Sequence, residues 1–316
     1  MEQPLTIVQL AALHGPNIYH PQTGVALRVS APADYSQRLR SALKGGALAI
    51  GMVIAHLHVT AQPHADGMLI SAFFATREPA IGAELCRYVV EGLNAELTGN
   101  TEWDPDEPLL TLRDRRQAQA LPVAALQLMA NARQRDIPTT ILPDRRVLLG
   151  QGDRSWITTI DDLRATPDIQ PPWSQLGRIP IVTVTGERYR SQAVAEQAAR
   201  YEARAIDHAN RDSVLQALSD PTCTALVVGL ETEHLLREGL PFDRCDLAVI
   251  TDRAGQRPPS AFDDDEWLKA LGLPMLCSTA PTLINLTDPA LHALIGYAPN
   301  GVIGWSIGKT DTREPA

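Results

Sequence analysis

Residues 182–191 read VTVTGERYRS: a β-branched run enters a glycine, then an arginine and a serine, and a helical-looking QAVAEQAARYEARA follows. That order is the layout of a phosphate-binding loop. A strand delivers the chain to a tight turn, backbone N–H groups converge on an anion, and a cation, a hydroxyl and a helix N-terminus complete the cradle. Gly186, Arg190 and Ser191 are therefore the first candidates for nucleotide chemistry. The histidines His14, His20, His56, His58 and His64 are a second group. If GMVIAHLHVTAQ is helical, His56 and Thr60 share a face and His58 points elsewhere, so no paired metal face forms; the bland alternative is surface or capping histidines. The acidic run Asp263–Glu266 suits a metal or, more simply, the start of a helix, where carboxylates are favoured. Arginines cluster at Arg113, Arg115 and Arg116, at Arg133 and Arg135, and at Arg145 and Arg146. They suit either a carboxylate-bearing polymer or a solvated helix face. No G-x-S-x-G nucleophile elbow occurs.

These groups must be positioned by a chain of 316 residues, long enough for two cores. It is 44% hydrophobic and 21% charged, the balance of a soluble globular protein. A net charge of −9 argues against a general nucleic-acid binder. No apolar run reaches membrane-span length and the N-terminus lacks the basic start of a signal peptide, so the expected location is the cytoplasm. Cys86, Cys223, Cys245 and Cys277 have no metal or redox spacing and read as reduced core residues.

Along the chain, LTIVQLAAL, GVALRVS and GMLISAFFAT read as strands, and ADYSQRLRSALKG as a helix. In EPAIGAELCRYVVEGLNAEL, Ile81, Leu85, Tyr88, Val89 and Leu93 form one helical stripe. DRRQAQALPVAALQLMANARQRD reads as a long helix whose pattern restarts after Pro122, and TTIL and RVLLG as short strands. This predicts an α+β domain over residues 1–160. The proline-rich residues 161–176 read as a linker. Beyond them PIVTVTG, TALVVGL, DLAVIT, LPMLC, TLINL and GVIGWSI alternate with helical stretches. Strands that are apolar throughout predict an α/β domain with a mainly parallel sheet over residues 177–316.

Several stretches, in order, resemble the cyanophycin synthetases. LHGPN is similar to their RGPN element, AHLHVTAQ to an N-domain helix of the EHVALELQ type, and IPTTILPDRRVLLGQG to the segment leading into an ATP-grasp domain. GRIPIVTVTGERYRSQAV resembles the strand and GTNGKTT loop of the Mur-ligase-like domain. LLREGLPFDRCDLAVITD resembles ILRxGLGFDRCDVAVVTN, and PTLINLTDPALHALIG resembles VLNADDPLV. The resemblance implies a cyanophycin-synthetase N-domain at 1–160 and a Mur-ligase central-domain-like ATPase core at 177–316. It also implies departures. Residues 153–176 leave no room for an ATP-grasp domain, and no C-terminal Mur lobe is expected after GVIGWSIG. Tyr189 stands at a loop glycine, Arg190 at the lysine, and Gly229 at the metal-holding glutamate, with Glu231 two positions on. Arg253, Ala254 and Gly255 stand at the DHLG element.

The resulting expectation is a truncated, catalytically inactive pseudoenzyme. It has no catalytic, cofactor-binding or metal-ligating residue and no cofactor. Its expected partner is a full-length cyanophycin synthetase, which it stabilises or regulates, or a second copy of itself in an oligomer. The alternative is a cyanophycin-binding or cyanophycin-trimming hydrolase acting through the N-domain, with the polymer as its ligand.

Overall fold

A computed structural model describes residues 4–64 and 67–305. The chain divides into two compact units, Met1–Ala120 with Leu236–Leu240, and Leu121–Leu235 with Pro241–Ala316. The packing thus breaks at residue 120, where the sequence suggested 160.

The first unit contains β1 (Thr6–Leu13), β2 (Gly24–Ala31), α1 (Ser36–Ala49), β3 (Ala55–His64), β4 (Gly67–Ala75), α2 (Pro79–Thr98) and α3 (Asp106–Gln119). Its sheet has the order β1-β2-β4-β3 and is antiparallel throughout. Val25, Leu27 and Val29 of β2 and Ile70 and Phe74 of β4 share a core with Leu39 and Leu43 of α1 and the predicted α2 stripe of Ile81, Leu85, Val89 and Leu93. The sequence resemblance implied a helix for AHLHVTAQ, but it forms β3. Leu57, Val59 and Ala61 alternate onto the core while His58, Thr60 and Gln62 are exposed, a period of two that only a strand can use.

The LHGPN element has a structural role in this unit. Asn17, almost fully buried, donates through Nδ2 to Gly15 O and Gln22 O and accepts through Oδ1 from Tyr19 N and His20 N. All of its capacity goes into fixing one loop. Gly15 passes so close to Leu240 O that an added Cβ would lie 1.9 Å from it.

The second unit opens with α4 (Val123–Arg133), β5 (Thr139–Ile141), β6 (Val147–Leu149), β7 (Trp156–Thr158) and α5 (Ile160–Ala165). The long helix read through Pro122 is two helices, α3 and α4, because Pro122 with ψ 154° takes the chain out of the helical region. The expected linker is packed structure. Ile160, Leu163 and Leu176 join Ala125, Leu128, Val147 and Leu149 in one core, and Thr159 and Asp162 form a capping box on α5.

The rest of the unit is α/β: β8 (Ile181–Thr185), α6 (Arg190–Tyr201), β9 (Arg204–Ala209), α7 (Arg211–Leu218), β10 (Leu226–Leu230), α8 (Thr232–Glu238), β11 (Leu247–Ile250), α9 (Asp264–Gly272), β12 (Thr282–Asn285) and β13 (Val302–Trp305). The strand order is β13-β12-β11-β8-β10-β9, parallel throughout. The parallel sheet and its apolar strands match the expectation. Two readings do not. LPMLC is a 3₁₀ helix, Leu273–Cys277, since Pro274 has no N–H for a sheet ladder. The helical reading of QAVAEQAARYEARA ends early, because Glu202 adopts φ 52° and turns the chain into β9.

The FDRCD stretch also has a structural role. Asp243 grips Arg178 through both oxygens at 2.9 and 3.2 Å, and Asp246 accepts from Ile181 N at 2.8 Å, fixing the start of β8. Cys245 is buried beside Thr183, and burial pushes its thiol up to about 12, so it stays a neutral packing residue.

Candidate functional site

In an open parallel sheet, ligands bind beyond the carboxyl ends of the strands at the point where the strand order reverses. Here β8 is the first strand, β10 and β9 lie to one side, and β11, β12 and β13 lie to the other. The switch point is therefore the crevice between β8 and β11. Four things meet at or beside it: the loop of residues 186–189, the N-terminus of α6, the end of β11 at Thr251 and Asp252, and the ends of β9 and β10.

The loop's N–H groups do converge as a phosphate cradle requires, but a carboxylate of the chain occupies them. Asp252 Oδ1 accepts from Arg188 N at 3.0 Å and Glu187 N at 3.4 Å, and Oδ2 accepts from Tyr189 N at 3.1 Å. Thr251 Oγ1 and Ala254 N donate to the same carboxylate at 2.8 and 3.1 Å. Asp252 is 4% exposed. Burial works to raise its pKa, but the hydrogen bonds from Arg188, Thr251, Tyr189 and Ala254 outweigh it and hold the carboxyl below the ordinary range.

Conserving this arrangement takes several distant residues. Asn285 Nδ2 donates to Thr251 O at 2.8 Å and Asp288 Oδ2 accepts from Arg253 N at 2.8 Å, so the NLTD stretch that begins at the last residue of β12 clamps both sides of Asp252. Gly186, at φ 129°, lets the loop approach; a Cβ there would lie 1.9 Å from Thr251 Oγ1. Tyr189 sits at φ −111°, so the loop does not take the left-handed turn that a glycine would permit at this position.

Arg190, the candidate phosphate cation, is 3% exposed and turned inward. Its Nε donates to Asp207 Oδ1 at 3.0 Å and its Nη1 to Gly186 O at 3.1 Å, while Nη2 lies 3.7 Å from Glu231 Oε1 and against the His208 ring. His208 Nδ1 bonds Glu231, and Ser191 Oγ donates to Asp207. Burial pulls Asp207 upward, but the Ser191 and Arg190 hydrogen bonds prevail and hold it below the usual carboxylate range. The His208 hydrogen bond, with help from Arg190, lowers Glu231. The network fits only over a glycine: a Cβ at Gly229 would lie 2.4 Å from Asp207 Oδ1. Glu231 thus serves a histidine and an arginine. Asp207, His208 and Asp252 carried no motif in the sequence, and the one hint was an acid directly following a buried strand, VITD.

The other candidates separate. Asp263–Glu266 is a helix start, with Asp263 as the cap accepting from Glu266 N at 2.9 Å. Arg115, Arg116 and Arg146 pair with Glu84, Glu78 and Asp144, and Arg135 lies over the Trp173 ring. Among the described residues no three His, Cys, Asp or Glu side chains could hold a metal ion together. No helix among them is long and apolar enough to cross a membrane.

Two of the histidines do meet. The His20 ring lies against His56, tilted by 31° with centroids 4.4 Å apart, and His56 is held at φ 51°. Burial first, and then the charge of His56, lowers the pKa of His20. A base with a depressed folded pKa contributes stability above its unfolded value of about 6.5 and loses it as pH falls toward the folded value. Denaturant melts are therefore expected to weaken from pH 7.5 to 5.5. His56→Asn, which tolerates the left-handed backbone, is expected to reduce that fall; an unchanged slope would remove the pair as its cause.

Residues 4–305 match the model of the family described as a domain of unknown function, DUF4938. No curated protein matches the chain.

Proposed function

The chain belongs to the DUF4938 family, and we propose that it is a non-catalytic protein built on a Mur-ligase-like core, acting through assembly with an active cyanophycin synthetase or with itself. The observation that supports this reading is the Asp252 carboxylate in the phosphate cradle. A nucleotide phosphate placed there would meet a buried anion in place of free N–H donors, at a large electrostatic cost. The cation that should neutralise it, Arg190, is already committed to Asp207 and Glu231. The chemistry of acyl-phosphate formation has no opening in such a site.

The stretches that resemble cyanophycin synthetases are the ones that hold the architecture. Asn17 fixes the LHGPN loop, Asp243 and Asp246 hold β8, and Asn285 and Asp288 hold the end of β11. A fold maintained in this way, with its nucleotide site closed, suits a subunit that presents a surface. In this reading the protein acts in the cytoplasm and stabilises or regulates the synthetase.

Calorimetric titration with magnesium ATP is expected to show no binding at millimolar nucleotide, and Arg190→Lys is expected not to restore it. Co-expression with a full-length cyanophycin synthetase is expected to give a co-purifying complex and altered polymer yield or synthetase stability. Micromolar ATP binding would overturn the non-catalytic reading. A chain that stays monomeric and changes neither yield nor stability would overturn the assembly role.

A further inference from the structure

We propose that the outer edge of β13 is a self-association surface, on which β13 of a second copy of this chain pairs antiparallel across a twofold axis. This rests on the assembly reading above and names a surface for it. Among the described residues β13 is the outermost strand of the parallel sheet. Gly301 O accepts from Thr282 N at 3.0 Å, and Val302–Trp305 stand in register beside Thr282–Asn285. Backbone groups alternate along a strand, so Gly301, Ile303 and Trp305 face β12, and the N–H and C=O of Val302 and Gly304 point outward. Such an edge is a template for another strand unless something blunts it. The other edges of the two larger sheets are blunted. β9 carries Arg204, Asp207 and His208, β1 is bulged at Val8, and β3 contains Pro63. β13 reads VIGW, with no charge, proline or bulge.

The register selects a second copy as the occupant. Val302 and Gly304 are the outward-facing residues, and Ile303 lies midway between them. About a twofold axis through Ile303, Val302 of one copy exchanges both N–H···O bonds with Gly304 of the other, and the reverse pair does the same. Ile303 then meets its own copy between those bonds, where Cα atoms lie about 4.5 Å apart. Ile303 is 51% exposed, and Leu286, whose Cδ1 would lie 3.3 Å from a Cβ at Gly304, is 37% exposed. Both have apolar surface to bury in the contact. Charge favours the same partner. With −9 on each chain, copies repel wherever acidic surface meets acidic surface. From Pro289 to Trp305 the sequence has no Asp, Glu, Lys or Arg. The 3₁₀ helix Pro289–Tyr297 and β13 therefore form a neutral strip where two copies meet without that repulsion. The contact is small, so the dimer is one of modest affinity.

The experiment measures the mass of the full chain by sedimentation from micromolar to millimolar protein. The expected result is a monomer–dimer equilibrium. Ile303→Lys is expected to weaken it by roughly tenfold or more, because the introduced ammonium groups face each other across the axis. Val302→Pro is the second variant. It removes one outward N–H, leaves the bonds to β12 in place, and stands at the first residue of a strand, where proline is tolerated. It is expected to weaken the dimer likewise. Ile303→Cys tests the register: mild oxidation is expected to link two copies through the introduced thiols, because the facing pair lies within disulfide reach. Leu48→Cys, 82% exposed on α1, is the control and is expected to link no more than wild type. A wild type that stays monomeric over the whole range would overturn the proposal. So would a dimer that folded Ile303→Lys and Val302→Pro leave unchanged, or thiols at position 303 that link no faster than those at position 48. A monomeric wild type whose capture of the synthetase is lost in Ile303→Lys would also overturn it, since the edge would then belong to that partner. Co-purification with the synthetase tests the assembly reading separately, so either idea can fail alone.

Discussion

Gly186→Ala is expected to destabilise the second unit by about 3 kcal/mol, the scale of a strained backbone combined with a forced steric conflict. Two effects act together. At φ 129° an L-residue is in a region that only glycine adopts readily, and the new Cβ would lie 1.9 Å from Thr251 Oγ1 and 3.0 Å from Asp252 N. Thr251 cannot rotate away without loss, because its hydroxyl donates to Asp252 Oδ2 at 2.8 Å and contacts Thr185 O at 3.1 Å. The strain is thus transmitted to the carboxylate that fills the loop. Urea denaturation, read as a midpoint shift at constant slope, measures the effect. Gly45→Ala is the control: Gly45 lies inside α1 with nothing within 4 Å of an added Cβ. There the substitution is expected to stabilise by about 0.5–1 kcal/mol. Equal effects at the two glycines would refute the role given to Gly186.

The strands of the parallel sheet were legible because they are buried on both faces. IVTVT, LVVGL and LAVI are apolar or β-branched at every position but one glycine, and burial follows along each. β9 was not legible. RAIDHA lies at a sheet edge, carries charge, and follows its helix by only two residues, so helical periodicity ran over it. β3 carries a strand's alternation of inward and outward residues, against the helix that the family likeness implies. The candidate loop was found at its correct place, with strand before and helix after, because that signal is local. Its state was not. Whether donors face solvent, a phosphate or Asp252 depends on β11 lying next to β8, where Ile250 aligns with Thr185. No short-range pattern encodes that pairing. The same limit hid Asp207 and His208, which meet Arg190 only because β9 is placed outside β10.

Arg190→Leu is expected to cost about 2–4 kcal/mol, somewhat below the full penalty for breaking a buried pair, because its partners are not wholly enclosed. Asp207 and Glu231 side chains are 24% and 32% exposed, whereas Arg190 is 3%. Without the guanidinium, Gly186 O loses its donor at 3.1 Å, and two carboxylates remain with His208, Ser191 and, at 3.8 Å, His234 as partners. Asp207→Asn removes one of those charges while its amide oxygen can still accept from His208 N, so the double variant is expected to be more stable than the sum of the single losses by about 1–2 kcal/mol. Additive losses would mean that Arg190 acts through packing alone. The pH dependence separates the two causes further. Asp207 and Glu231 are held below their ordinary values, so their contribution is present above an unfolded pKa of about 4 and is lost as pH falls through the folded values. The stability gap between wild type and Arg190→Leu is therefore expected to be widest at neutral pH and to narrow below pH ~4. A gap of constant size across that range would show that the buried arginine neutralises nothing there, and the account of why it is unavailable to a phosphate would fail with it.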